Sequence, residues 1–315
     1  MKRENPWSWR TLAIALSVIM TLVGTDSATA EEVPLVVATV AMNAVTDTDA
    51  NLATYYRYME QASAQGVHLI LFPEASLQQN PCWRPQHGGS PTPTELDYLR
   101  SSAEPLPGSS SAAISDQARE LNLFVIYGMT EKPADEDVLY TTVAMVGPEG
   151  VLGKHRKNPL GGAEIGYNED EYWTPGDDDG MVDSPLGRAG LLSCIEFFYY
   201  KGLSRQQAGA QFVAGTSGWD MAQTSSYLNN INLSAKQTGL WHFVSNQAGS
   251  LGSYTFAGHS VIVDPDGNVV ADTGIDEGMV VAETDIMIDP ATLGFAVRDT
   301  PVRSRGWASF KALVR

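Results

Sequence analysis

Apolar and polar positions sort the chain into alternating strands and helices. "VPLVVATVAMN" (33–43) is dense in β-branched residues and reads as a buried strand. "TDTDANLATYYRYMEQASAQG" (46–66) opens on cap-type residues and closes on glycine, which predicts a helix. "VHLILF" (67–72) is a second strand, and "QQNPCWRPQHGGSPTPTE" (78–95), rich in Pro, Gly and Gln, a long loop. A helix over 109–122 precedes strands at "LFVIYG" (123–128) and "VLYTTVAMV" (138–146), with "GPEG" (147–150) turning the chain. After a polar, glycine-rich stretch (158–180), "AGLLSC" (189–194) is a short strand that ends on a cysteine. Helices at 199–209 and 222–239 flank a strand at "QFVAG" (211–215). "WHFVSNQ" (241–247), a hairpin turned by "DPDGN" within 259–274, and "MVVAETDI" (279–286) complete the pattern. Helix and strand alternate over the first two-thirds and strands dominate afterwards, so a layered α/β fold with helices covering sheets is expected.

The first thirty residues follow another logic. Lys2, Arg3 and Arg10 precede the apolar "TLAIALSVIMTLVG" (11–24), and "ATA" (28–30) supplies small residues before a cut. That is the layout of a secretory signal, cleaved after Ala30, so residues 1–30 are expected to be a signal peptide and 31–315 a single domain. The alternative is a retained anchor, but about 20 apolar residues are needed to span a bilayer. A secreted or periplasmic protein without a membrane segment after cleavage is the expectation. The formal charge of −17 becomes one unit more negative without that segment, which argues against nucleic acid and anionic membranes as partners. The two cysteines, Cys82 and Cys194, are too few for a disulfide framework; one bond between them, or a reactive thiol, are the alternatives.

Three chemistry-bearing residues sit at strand ends. "LILFPEASL" (69–77) ends an apolar run in Pro73 and Glu74, "GKHRKNPL" (153–160) places Lys157 just past another strand, and Cys194 ends a third. Ligands of open α/β sheets bind at the carboxyl ends of strands. A carboxylate able to take a thiol's proton, a thiol nucleophile and an ammonium for the oxyanion would together suit acyl transfer through a thioester. Each also has a plain alternative. Glu74 would be a solvated loop carboxylate, Lys157 part of a surface basic run, and Cys194 a small buried hydrophobe. The sequence contains no GxSxG elbow, no HExxH and no CxxC.

The order Glu…Lys…Cys resembles that of the nitrilase superfamily of carbon–nitrogen hydrolases. "LILFPEASL" is similar to its glutamate motif, "KHRKNPL" to its lysine motif, and "GLLSCIEFFYYKGLSRQQAGAQFVAGTSGW" to its cysteine motif. "EYWTPGD" (171–177), "FAGHSVIVDPDGNVVADTG" (256–274) and "AETDI" match as flanks, so the resemblance runs from about residue 35 to about 300.

That resemblance implies a four-layer α-β-β-α sandwich, usually paired into homodimers or higher homo-oligomers, with no cofactor or metal. It implies Glu74 as general base and acid, Lys157 as oxyanion stabiliser, Cys194 as nucleophile and the Ile195 backbone N–H as second oxyanion donor. A second glutamate is expected at Glu171, four residues before the Pro-Gly of "TPG", with Glu164 and Glu169 as competitors. Trp219 and Asn246 fall where the family lines its pocket, and Trp83, Arg84 and His87 of the long loop are further candidate contacts. At Glu196 the sequence departs from the Asp of many amidase-like members, and Ile195 is neither Tyr nor Trp, which leaves the subfamily open. The implied activity is hydrolysis of a small-molecule amide. A nitrile substrate, acyl transfer to an amine, and an inactive binding protein on the same scaffold are the alternatives.

Overall fold

A computed structural model describes residues 31–83, 90–162, 168–199 and 201–293. The expected signal segment 1–30, together with Arg84, His87 and Glu164, lies outside the described residues. The first half of the chain forms β1 (Val33–Ala41), α1 (Thr48–Ser63), β2 (Leu69–Leu71), α2 (Pro93–Ser102), α3 (Ser109–Leu121), β3 (Phe124–Glu131), β4 (Tyr140–Gly147) and β5 (Gly150–Arg156). The second half forms β6 (Met181–Ser184), β7 (Gly187–Ser193), α4 (Lys201–Gln207), β8 (Phe212–Ser217), α5 (Thr224–Thr238) and β9 (Trp241–Asn246). A short hairpin, β10 (Ser250–Leu251) and β11 (Tyr254–Thr255), precedes β12 (Val261–Val263), β13 (Val269–Asp272) and β14 (Gly278–Ile288). Among the described residues no helix is long and apolar enough to cross a membrane.

Two six-stranded sheets result, in the orders β14-β1-β2-β3-β4-β5 and β13-β12-β9-β8-β7-β6. Their central strands run parallel (β1, β2, β3 in one; β7, β8, β9 in the other) and the outer strands pair antiparallel. The period of two along each strand explains the layering. Leu35, Val37, Phe124 and Ile126 of the first sheet meet Leu191, Phe212, Ala214 and Phe243 of the second in one core. The alternate residues, such as Val40, Val125 and Tyr127, face α1 and α3. Leu192, Val213 and Val244 face α5 and the turn after β7. With both faces buried, these strands read as apolar runs, as parallel strands do. The arrangement is the expected α-β-β-α sandwich.

Three local features differ from expectation. The segment read as loop over 78–95 runs into α2, whose start is a capping box between Thr92 and Glu95 with Pro93 in the first turn. β6 lies in the gap between the polar stretch (158–180) and the strand read over 189–194, where no element was expected. Cys194 is not the last strand residue: β7 stops at Ser193, and Cys194 opens a 3₁₀ turn over Cys194–Tyr199 with φ of 48°.

Candidate active site

Glu74 is delivered by the turn that follows β2. Its backbone is tied on every side. Its N–H donates to Ser217 O, its carbonyl accepts from Gln247 Nε2 at 2.8 Å, and Gly128 N–H donates to the neighbouring Pro73 O. Gly128 allows this close approach: a Cβ there would lie 2.5 Å from both Glu74 Cα and Ala75 N. The side chain is buried, with Oε1 accepting from Lys157 Nζ at 2.8 Å and Ser193 Oγ at 3.0 Å. Oε2 is buried and has no hydrogen-bond partner. Burial raises Glu74 above the ordinary carboxylate range, with Lys157 opposing and Glu169 adding to the rise.

Lys157 follows β5, and the alternation of that strand separates the "KHRK" run into two faces. Lys154 and Arg156 turn to Glu131, while His155 and Lys157 are buried on the other side. The Lys157 ammonium lies between two carboxylates, Glu74 and Glu169; the two Glu169 oxygens are 2.9 and 2.8 Å away. Burial would lower its pKa, but Glu169, Glu74 and Cys194 outweigh that and hold it well above normal. The expectation of Glu171 as second glutamate is therefore corrected. Glu169 starts the 3₁₀ turn Glu169–Glu171, is buried, and accepts from Gly161 N–H as well, whereas Glu171 is exposed. Two positions along such a turn is well over half a rotation, so the two side chains face apart.

Cys194 is half-buried beside Phe198, Trp219 and Leu192. Its left-handed φ of 48° is a conformation few L-residues adopt and is often found where a side chain is re-aimed at a functional site. The Gly218 backbone N–H donates to the thiol. Burial raises the thiol well above its normal pKa and Glu74 adds to this, against Lys157. Ile195 is the second residue of the 3₁₀ turn, where backbone N–H groups are not consumed within the turn. No disulfide joins Cys82 and Cys194.

The structure thus brings Glu74, Lys157 and Cys194 together, adds Glu169 and Ser193, and puts Trp219 in the apolar cluster against which Cys194 packs. Trp219 is buried 4.7 Å from the Phe198 ring, with its Nε1–H unpartnered. Asn246, expected as a pocket residue, is fully buried with its amide committed to backbone. Its Oδ1 accepts from Trp219 N–H at 2.8 Å and its Nδ2 donates to Gly258 O at 2.7 Å, so it holds the Gly218–Trp219 backbone in place. Trp83 is buried, its ring against Gly218. Glu196 is a further member that motif spacing singled out without a role. Its carboxylate accepts Ser193 N–H at 2.6 Å and Asn158 N–H at 3.3 Å, joining the ends of β7 and β5. Among the described residues no group of three or more His, Cys, Asp and Glu is arranged to hold a metal.

The chain and its fold have counterparts among known proteins. Omega-amidase NIT2 of Bos taurus is 30% identical over 252 residues, covering 75% of this chain and 83% of that protein. The crystal structure of Nit3 of Saccharomyces cerevisiae, a nitrilase-superfamily member, superposes with a TM-score of 0.68 at 22% identity, over 84% of this chain and 93% of the other. A variant of the amidase from Nesterenkonia sp. AN1, carrying the acetamide moiety of fluoroacetamide covalently on its active-site cysteine, superposes with a TM-score of 0.66 at 19% identity, over 82% and 92%. The family profile described as carbon-nitrogen hydrolase matches residues 36–289, and the chain belongs to that family.

Proposed function

We propose that this amidase-like enzyme hydrolyses a small carboxamide through a thioester on Cys194. The observation that carries the reading is the convergence of a buried carboxylate with one unspent oxygen, an ammonium and a thiol. Both the thiol and Glu74 are raised, so the resting thiol is neutral and its proton passes to Glu74 as sulfur attacks the carbonyl carbon. Lys157, trading one contact with Glu169, and the Ile195 N–H stabilise the oxyanion. Glu74 then gives the proton to the leaving nitrogen, the C–N bond breaks and ammonia departs. Water adds to the thioester, Glu74 takes its proton, and the acid leaves as the proton returns to the thiolate. The amidase relatives and the cysteine adduct in the Nesterenkonia protein support this reading. Export after removal of residues 1–30 and assembly into homodimers or larger homo-oligomers belong to the same proposal, on the strength of the sequence alone.

Mass spectrometry during turnover of a slow amide should find an acyl adduct on Cys194, and Cys194→Ala should form none and release no ammonia. Running the amide and the nitrile of the same acid in parallel separates amide from nitrile hydrolysis, and adding hydroxylamine exposes transfer to an amine. Turnover by Cys194→Ala would overturn the proposal.

A further inference from the structure

Behind the reacting groups lies a second buried cluster. His155, on β5, sits between two carboxylates: Nδ1 is 2.5 Å from Asp178 Oδ1, and Nε2 is 2.9 Å from both oxygens of Glu196. The imidazole and Glu196 are fully buried and Asp178 partly so. Each carboxylate also holds backbone. Glu196 accepts the N–H groups of Ser193 and Asn158, the residues immediately before Cys194 and after Lys157. Asp178 accepts the N–H groups of Arg156 and Gly180. Arg205, on α4, completes the charged surroundings: Nη2 lies 3.3 Å from His155 Nε2, and Nε donates to Leu191 O on β7. Lys154 and Arg156 face away, onto Glu131.

We propose that His155 is a positioning residue which, as an imidazolium, clamps Glu196 and thereby fixes the strand ends that carry Lys157 and Cys194. The inference deepens the amide-hydrolase reading and rests on it for its kinetic arm. A neutral imidazole has a single N–H for two carboxylates; only the doubly protonated ring can bond Asp178 and Glu196 together. Losing that proton from Nε2 would turn a lone pair toward Glu196 and leave Arg205 Nη2, 3.3 Å away, as the ring nitrogen's donor in place of the bond to the carboxylate. Glu196 would then shift with the two backbone amides it holds, and near-attack geometry is sensitive to displacements of about an ångström. Burial alone would lower the His155 pKa, but the charges of Glu196 and Asp178 outweigh it and raise it to about 9. The folded value lies above the ordinary 6.5. The clamp's contribution to stability is therefore fully present below that value and lost as pH rises through about 9.

Two measurements test this. The first needs no turnover: NMR titration of the His155 ring in the intact protein should give a midpoint near 9, and Glu196→Gln should move it down by at least a unit. The second is the pH profile of amide hydrolysis. The wild type should lose kcat on an alkaline limb with the same midpoint. Glu196→Gln should shift that limb downward, and His155→Asn should remove it, lowering kcat roughly tenfold or more with KM changed far less. A ring that titrates near its ordinary value, or a limb that stays in place in both variants, overturns the clamp. A wild type that hydrolyses no amide while the ring titrates near 9 counts against the hydrolase reading instead and leaves the ionisation half of the clamp standing.

Discussion

The placement of Glu169 rather than Glu171 against Lys157 is open to a direct test. Glu169→Gln keeps the size and one acceptor but removes the charge, and it turns an N–H₂ toward an ammonium that had two oxygens at 2.9 and 2.8 Å. Loss of one charge-assisted bond is worth about 1.5–3 kcal/mol, which is roughly a tenfold to hundredfold fall in kcat/KM. A second effect has a fixed sign. Glu169 pushes both Glu74 and Cys194 upward. Without it Glu74 becomes a stronger acid, stays ionised to lower pH, and the acid limb of kcat/KM moves down. Glu171→Gln, on an exposed side chain, should stay within roughly twofold of wild type, as surface substitutions do. Initial rates of ammonia release across the acid limb measure both effects. A Glu169→Gln enzyme with normal rate and an unmoved limb, or an equal loss in Glu171→Gln, would refute the reasoning.

Ser193→Ala should act on Glu74 in the opposite sense: the hydroxyl at 3.0 Å lowers the Glu74 pKa, so its removal moves the acid limb up, and Ser193→Thr should restore it. An unmoved limb in the alanine variant would show that the hydroxyl does not tune the base. Gly128→Ala places a Cβ 2.5 Å from Glu74 Cα, and overpacking of this kind costs about 1–3 kcal/mol. The melting temperature should fall and kcat with it, and a variant unchanged in both would show that the turn yields without moving Glu74.

Much of this was legible from residue types. Strands buried on both faces announce themselves as apolar runs, so β1, β3, β8 and β9 stand out, and the motif order points to Glu74, Lys157 and Cys194. What stayed hidden has physical reasons. α2 starts in a Pro-rich stretch whose one positive signal, the Thr92–Glu95 box, competes with the loop composition around it. β5 carries Lys154, His155 and Arg156, polar because they meet Glu131, Asp178 and Glu196, and no period in the sequence reveals partners so distant in the chain. Glu169 and Glu171 have the same chemistry two positions apart, and only the 3₁₀ turn decides which one turns inward. Asn246 has the side chain of a substrate ligand, yet its amide is spent on Trp219 and Gly258 backbone.

Glu74 and Lys157 hang from strands of one sheet, and Cys194 from a strand of the other. Neither sheet alone carries the proposed set, so under that mechanism catalytic competence is a property of their docking. During refolding, far-UV ellipticity can return as each sheet forms, while ammonia release must wait for the two to close over their shared core. The enzyme's own activity is then a clock for the last assembly event. A substitution deep in that shared core, far from any substrate, would register first as a longer delay between the two signals.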